Sequence, residues 1–200
     1  MKIAEIVDVI SAGSFADSTA WRQACSDVED AIACVDWPHG AGTFSINPEP
    51  HGNGVKPIKY PCLQRLGALG WRVESLPPLA SDILHPGDLD ALVVRDGHYV
   101  AFEWETGNIS SSHRALNKLV LGLIHRAVIG AVLVVPSRAL YPYLTDRVGN
   151  IAELRPYLPL WSAASAKVEE AALRIYSVEQ DITNENTSLI PKGTDGRARG

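Results

Sequence analysis

Two strand-like runs on either side of Asp96-Gly97 constrain the fold of this chain more than any other feature. The runs GDLDALVV and YVAFEWE lie within residues 87–105, and an Asp-Gly pair between two such runs is a strong hairpin signal. If Asp96 and Gly97 form the turn, Arg95 faces His98. The sequence therefore predicts an antiparallel pair of strands, and the turn sets its register.

The predicted register brings four carboxylates to one side of the hairpin. Counting outward from the turn, Asp90 faces Glu103 and Asp88 faces Glu105. Strand side chains alternate between faces, and like charges opposite one another destabilise a sheet. A divalent cation would offset this repulsion, and oxygen ligands without His or Cys favour Mg²⁺ or Mn²⁺ over zinc. Alternatively, Glu-Trp-Glu is a solvated face of the strand, because one residue more or less in the turn would reverse the alternation.

A helix predicted over residues 110–128 follows the second strand closely. The helix N-terminus, with Ser110 and Ser112, offers free backbone N–H groups to an anion. At roughly 100° per residue, its basic and amide side chains fall on one stripe: Arg114, Asn117, Lys118 and His125. Cations beside an acidic metal site suit phosphodiester chemistry, because they hold backbone phosphates while the metal polarises the scissile one. The alternative is an ordinary amphipathic helix with a solvated polar face.

The glycine-rich segment 51–59 brings two further lysines, Lys56 and Lys59. These lysines could touch phosphate or bases, or they could simply be exposed to solvent. Other chemistries lack their motifs, since the chain has no GxGxxG after a strand, no P-loop, no GxSxG and no HExxH.

The rest of the chain alternates between predicted helices and strands, which indicates an α/β fold with a mixed sheet. In chain order, these elements are a helix within 19–38, a long loop over 39–57, a short helix over 58–70, a strand over 71–76, a buried strand over 130–137 and one short helix within 143–161. Residues 163–180 fit either a helix or a helix followed by a strand. The polar tail over residues 183–200 is expected to be disordered.

Length and composition indicate one globular domain. The chain has 200 residues, of which 46% are hydrophobic, and its net charge of −5 argues against a non-specific nucleic-acid coat protein. Its three cysteines form no CxxC pair, which favours reduced thiols and a cytoplasmic location. No apolar run approaches the roughly 18 residues of a membrane span. Glu5 and Asp8 interrupt the N-terminal apolar run, which argues against a secretory signal.

The order helix, strand, Asp-bearing strand, Glu-Xaa-Glu strand, helix and strand resembles the PD-(D/E)XK nuclease superfamily. Three segments carry the likeness across residues 87–136, within a wider region of 17–161: GDLDALVV, YVAFEWETGN and SSSHRALNKL. Glu105 stands where most members of the superfamily have lysine. This variant is similar to the BamHI and BglII branch of type II restriction endonucleases.

The resemblance implies a three-layer core, with a mixed central sheet flanked by helices, in a single nuclease domain over residues 1–182. It also implies that Asp90 and Glu103 bind the metal and that Glu105 positions or deprotonates the attacking water. Asp88 is the alternative to Asp90, because Pro-Gly-Asp also mimics the Pro-Asp pair of the superfamily. A further upstream acid would be Glu74 or Glu29, and the sequence does not choose between them.

The implied activity is Mg²⁺-dependent hydrolysis of double-stranded DNA by a type II-like restriction endonuclease, with Mn²⁺ as a substitute. Cutting two strands implies a homodimer, and a two-fold dimer would match a palindromic target. The expected DNA contacts are Ser112, Arg114, Asn117 and Lys118. The rival hypotheses are a catalytically idle DNA-binding module, a nuclease with a repair, phage-defence or RNA-cleaving role, and a structural protein that binds neither metal nor DNA.

Overall fold

The computed structural model describes residues 1–75, 88–145 and 147–192, apart from the side chain of Lys56. The strands within these ranges are β1 (Lys2–Ala12), β2 (Ser45–Ile46), β3 (Arg72–Ser75), β4 (Leu89–Arg95), β5 (His98–Trp104), β6 (Gly130–Pro136), β7 (Ala171–Glu179) and β8 (Ile182–Thr183). The α-helices are α1 (Thr19–Ala33), α2 (Lys56–Ala68), α3 (Ile109–Ile124), α4 (Ile151–Leu154) and α5 (Leu158–Ser162). Every helix in the described ranges is too short or too polar to cross a bilayer.

Six strands form the central sheet in the order β1-β7-β6-β5-β4-β3. The middle strands β5, β6 and β7 run parallel, whereas β4 and β3 on one side and β1 on the other are antiparallel to their neighbours. Since β6 is buried along its whole length, it reads in the sequence as an uninterrupted apolar run. The sheet is mixed, as the sequence predicted.

Helices α1 and α2 cover one face of the sheet. Val28 and Ile32 of α1 and Leu66 of α2 share an apolar core with Phe102 and Val132 of the sheet. Ser18 caps α1 by accepting a hydrogen bond from the Trp21 N–H, so this helix begins where the sequence predicted.

Helix α3 and the short helices α4 and α5 cover the opposite face. Leu116, Leu119 and Leu123 of α3 pack against Leu133 and Ile175 of the sheet. The Asn108 side chain caps α3 by accepting a hydrogen bond from the Ser111 N–H. The two helical layers and the sheet make the three-layer α/β core that the sequence predicted.

The hairpin forms in the predicted register. Arg95 pairs with His98, and the ladder runs on to Ala91 and Phe102. Asp96 and Gly97 both have positive φ values, of 50° and 79°, as a tight two-residue hairpin turn requires.

Strands β1 and β7, at one side of the sheet, are not identified by local sequence pattern alone. Strand β1 falls in a segment for which the sequence analysis predicted no element. Strand β7 falls within residues 163–180, where the sequence fits either a helix or a helix followed by a strand. The second alternative holds, with a short 3-10 helix, Ala163–Lys167, before the strand. These strands pair with each other across about 170 residues of chain.

The predicted disorder from residue 183 is wrong as far as Ile190. Strand β8 pairs with β2 in the loop predicted over 39–57, and the Ile190 N–H donates to Asn53 Oδ1. Ile190 and Thr187 are buried, because this segment covers the loop. Residues 193–200 of the predicted tail, and residue 76 of the predicted strand, lie outside the described residues.

Candidate active site

The hairpin carries acidic residues into the interior at its open end. Strand β5 begins with an exposed residue and is buried from Val100 onward, so Glu103 lies in its buried half with only 4% of its surface exposed. The paired ladder ends at Ala91 and Phe102, and Asp90 and Glu103 are the next residues along the two strands. Asp90 lies close enough to Glu103 for its negative charge to raise the pKa of Glu103.

Asp90 is held from both sides. The Trp104 backbone N–H donates to Asp90 Oδ2 at 2.8 Å, which ties the carboxylate to the end of β5. Lys59 Nζ of α2 donates to Asp90 Oδ1, also at 2.8 Å. Both carboxylate oxygens therefore have partners, and one of them is an ammonium group.

Glu103 faces α3 and forms an ion pair with Lys118 of that helix. Burial raises the pKa of Glu103 from 4.5 to about 7, although the Lys118 ammonium opposes this rise. The negative charges of Asp90 and Glu105 raise this pKa further. A divalent cation beside Glu103 would stabilise the ionised carboxylate and so lower this pKa.

Glu105 follows β5 and stays attached to the sheet, because its backbone N–H donates to Val134 O at 2.9 Å. Burial raises the pKa of its carboxyl group, and the nearby charge of Asp90 adds to the rise. A hydrogen bond from the Gly107 backbone and the positive charge of Arg114 act in the opposite direction. Glu105 is therefore a better proton acceptor than an exposed glutamate.

The three acids fit a divalent cation in ligand chemistry but not as a preformed cage. Asp90, Glu103 and Glu105 supply only oxygen ligands, as Mg²⁺ or Mn²⁺ requires. In the described part of the chain, no group of three or more His, Cys, Asp or Glu side chains is arranged to hold a metal. Lys59 and Lys118 instead form ion pairs with Asp90 and Glu103.

The alternative acids lie in different places. Asp88 is exposed, and its backbone carbonyl accepts a hydrogen bond from Lys118 Nζ at 2.9 Å. Glu74 is an exposed residue of β3 with a φ of 50°, a left-handed conformation that is uncommon for glutamate. Glu29 accepts a hydrogen bond from the Tyr176 hydroxyl at 2.9 Å. The Glu29 carboxylate is thus hydrogen-bonded between α1 and β7.

The four residues predicted to contact DNA differ in exposure. Arg114 is exposed on α3, whereas Lys118 turns toward the acids with only 15% of its side chain exposed. Asn117 is exposed, and its Oδ1 accepts a hydrogen bond from Trp161 Nε1 at 2.9 Å. Ser112 is fully buried, and a Cβ added to Gly149 would lie 2.6 Å from its Oγ. Ser112 lies three residues before Ala115 and four before Leu116, so helical periodicity places it on the apolar stripe.

Lys59 is the functional candidate whose place the sequence analysis missed. Lys59 forms an ion pair with Asp90. The sequence suggested instead that Lys59 contacts phosphate or bases, or is simply exposed to solvent. Its partner Asp90 is 31 residues away along the chain, on β4. The two residues come together only because α2 packs on the sheet. The nearest local signal was a lysine within the segment that becomes α2.

A family model described as restriction endonuclease BamHI matches residues 1–197 of the chain. The chain belongs to the BamHI restriction endonuclease family. The type II restriction enzyme OkrAI of Oceanobacter kriegii is 48% identical over 198 residues, which cover 99% of both chains. The type II restriction enzyme BamHI of Bacillus amyloliquefaciens is 37% identical over 185 residues, 89% of this chain and 84% of that protein.

The fold is also similar to that of BglII. The crystal structure of BglII complexed with a DNA 16-mer matches with a TM-score of 0.62, covering 95% of this chain and 88% of that one at 12% sequence identity. Free BglII matches with a TM-score of 0.50, covering 90% and 81% at 13% identity. The resemblance to BamHI- and BglII-like restriction endonucleases is confirmed.

Proposed function

We propose that this BamHI-family chain is a type II restriction endonuclease that hydrolyses phosphodiester bonds of double-stranded DNA with Mg²⁺ as its cofactor. The observation that carries the proposal is the burial of Glu103 at the end of β5, close enough to Asp90 and Glu105 for both charges to raise its pKa. Neighbouring acids in a buried position are costly unless a cation balances them. OkrAI and BamHI, the relatives described above, are type II restriction enzymes.

Each acid has a distinct task in this mechanism. A bound divalent cation would polarise the scissile phosphate and lower the pKa of a water molecule. Asp90 and Glu103, which lie on the paired strands β4 and β5, would hold the cation. Glu105 would orient the attacking water and accept its proton, because burial raises the pKa of its carboxyl group. The exposed Arg114 would hold a neighbouring backbone phosphate.

The test is cleavage of unmethylated phage and plasmid DNA with Mg²⁺, with Mn²⁺ and with EDTA. The wild-type protein is expected to give discrete fragments that require the metal. Glu103→Ala is expected to cut at least about 10³-fold more slowly, because a metal contributes several kcal/mol of transition-state stabilisation at about 1.4 kcal/mol per tenfold in rate. Glu185→Ala, at an exposed glutamate, is the matched control and should cut like the wild type.

Other outcomes of this assay favour the rivals. A metal-dependent smear would keep the chemistry and remove the sequence specificity. DNA binding without turnover in any metal would favour the idle binding module. Cleavage of RNA alone would indicate a nuclease of this fold with a different substrate.

We further propose that the protein acts as a homodimer, because one site per chain cuts only one strand at a time. An apolar surface near α3 supports this proposal. Leu121 of α3, Tyr157 and Leu160 are exposed, with Leu160 71% accessible. The centroids of the Tyr157 and His113 rings lie 4.7 Å apart, so Tyr157 packs against α3.

Sedimentation velocity tests the dimer and this surface together. The wild-type protein is expected to sediment with twice the chain mass, and Leu160→Asp is expected to shift the protein toward monomer. Val94→Asp is the control, because Val94 is an exposed apolar residue of the hairpin on another element. A dimer that survives Leu160→Asp unchanged would place the interface elsewhere.

The cysteines support a cytoplasmic location as part of the proposal. Cys25, Cys34 and Cys62 are all free thiols. Burial raises the pKa of Cys25 to about 11, which keeps this thiol protonated and unreactive. Reduced cysteines of this kind are usual in a reducing compartment.

A further inference from the structure

Two ammonium groups reach the acidic site from opposite layers of the fold. Lys59 comes from α2 on one face of the sheet and binds Asp90 Oδ1. Lys118 comes from α3 on the other face, where it contacts Glu103 and also donates to the Asp88 carbonyl. The oxygens that these lysines hold are the same oxygens that a metal would require.

Lys118 is more buried than a residue that is free to bind a DNA phosphate. Its side chain is only 15% exposed, whereas Arg114, one turn earlier on the same helix, is exposed. Ordering and desolvating a lysine costs free energy, so the contacts of the ammonium group must offset that cost. Those contacts are a buried carboxylate and a backbone carbonyl. An ammonium is a compact charge that binds the same oxygen ligands as a small divalent cation.

We propose that Lys59 and Lys118 are the resident counter-cations of the acidic site, so that a divalent cation binds by exchange with their ammonium groups. This inference rests on the proposed metal-dependent function and adds residues to it. The lysines keep the acids of paired strands together while no metal is bound. Once displaced, their ammonium groups remain beside the site, where a backbone phosphate can take the place of the lost carboxylate partner.

The exchange predicts that removing a lysine improves metal binding. The measurement is Mn²⁺ affinity of the full chain without DNA, followed by electron paramagnetic resonance of the free ion. Lys118→Met is expected to bind Mn²⁺ at least about tenfold more tightly than the wild type, because a charge-assisted contact is no longer displaced. Lys118→Arg, which keeps the charge, is expected to stay nearer the wild-type affinity. A lysine with a purely structural role would not produce tighter binding on removal.

Arg114→Met is the matched control for net charge. It removes one positive charge from the same helix, at an exposed residue whose charge acts on Glu105 without holding a carboxylate oxygen of Asp90 or Glu103. A gain in Mn²⁺ affinity that is as large for Arg114→Met as for Lys118→Met would show a general charge effect and overturn the exchange. Equal or weaker binding by Lys118→Met would also overturn it.

Lys59→Met gives a second, independent variant on the other layer, in case Lys118→Met does not fold. Melting in EDTA identifies which variants are folded, and a folded Lys59→Met should also bind Mn²⁺ more tightly. Failure of the exchange is distinguishable from failure of the proposed function. Metal-dependent cleavage by the wild type, with no affinity gain in either folded variant, would refute only the exchange. No cleavage by the wild type with any divalent metal would refute the proposed function itself.

Discussion

Burial of Glu103 predicts a specific dependence of stability on pH in the metal-free protein. The pKa of this carboxyl group is about 7 in the folded chain, against 4.5 for an unperturbed glutamate. Between these values the folded state keeps a proton that the unfolded state has lost. The contribution of Glu103 to stability is therefore fully present below about pH 4.5 and is lost as pH rises through 7. At about 1.4 kcal/mol for each pKa unit, the loss approaches about 3 kcal/mol.

The perturbation is Glu103→Gln, which keeps the shape of the side chain and removes its titration. Urea unfolding in EDTA at pH 5, 6, 7 and 8 gives the free energy of unfolding of each protein. Because other groups also titrate, the informative quantity is the difference between wild type and variant at each pH. From pH 5 to pH 8, the wild type should lose about 2–3 kcal/mol relative to Glu103→Gln. Glu185→Gln, at an exposed position, serves as the control and should track the wild type.

A wild-type-minus-variant difference that stays flat from pH 5 to pH 8 would show that burial does not raise the pKa of Glu103. The reasoning would also be refuted if the wild type gained stability relative to Glu103→Gln with rising pH. That second result would mean that the Lys118 ion pair outweighs burial, which would place the pKa of Glu103 below 4.5. The slope of unfolding free energy against urea must stay constant across the series for the comparison to hold.

Further predictions concern packing and DNA binding. Arg95 pairs with the buried Asp27, so Arg95→Met should destabilise the fold by about 3–5 kcal/mol in urea unfolding, and a second change of Asp27→Asn should recover part of that loss. Gly149→Ala would force a Cβ to 2.6 Å from Ser112 Oγ, and we expect a loss of about 1–3 kcal/mol in the same assay. Arg114→Met should weaken DNA binding uniformly across sequences and lower the slope of log affinity against log salt by about one, measured in Ca²⁺ or EDTA.

The parts of the fold that the sequence predicted are those set by neighbours along the chain. The Asp96-Gly97 turn fixes a register that runs without a shift to Ala91 and Phe102. Helices α1 and α3 follow from apolar periodicity and local caps, and β6 follows from a buried apolar run. In each case the residues that decide the structure lie within one turn or one strand of each other.

The parts that the sequence missed depend on partners far along the chain. Strand β1 alternates weakly and is recognisable only through β7, whose own segment opens with helix-forming residues around Lys167. The order of residues 183–190 depends on β2 and on Asn53. Local composition there is polar, which is why it indicated disorder.

The same division holds for the candidate site. The hairpin register alone brings the strand positions of Asp90 and Glu103 near each other, so their proximity could be expected from the sequence. The contacts of Lys59 and Lys118 depend on how two helices dock on opposite faces of the sheet, and no local pattern encodes that docking. Arg114 and Lys118 share a stripe, yet a rotation of about 40° between them is enough to leave one exposed and to turn the other inward.

The most direct measurement of the central claim is anomalous diffraction from Mn²⁺ in co-crystals of the protein with its DNA. The account predicts an anomalous peak at ligand distance from the carboxylates of Asp90 and Glu103, beside a backbone phosphate, with Glu105 close to the same ion or its water. Ordered DNA at the site without a Mn²⁺ peak, or a peak held by other residues, would contradict it.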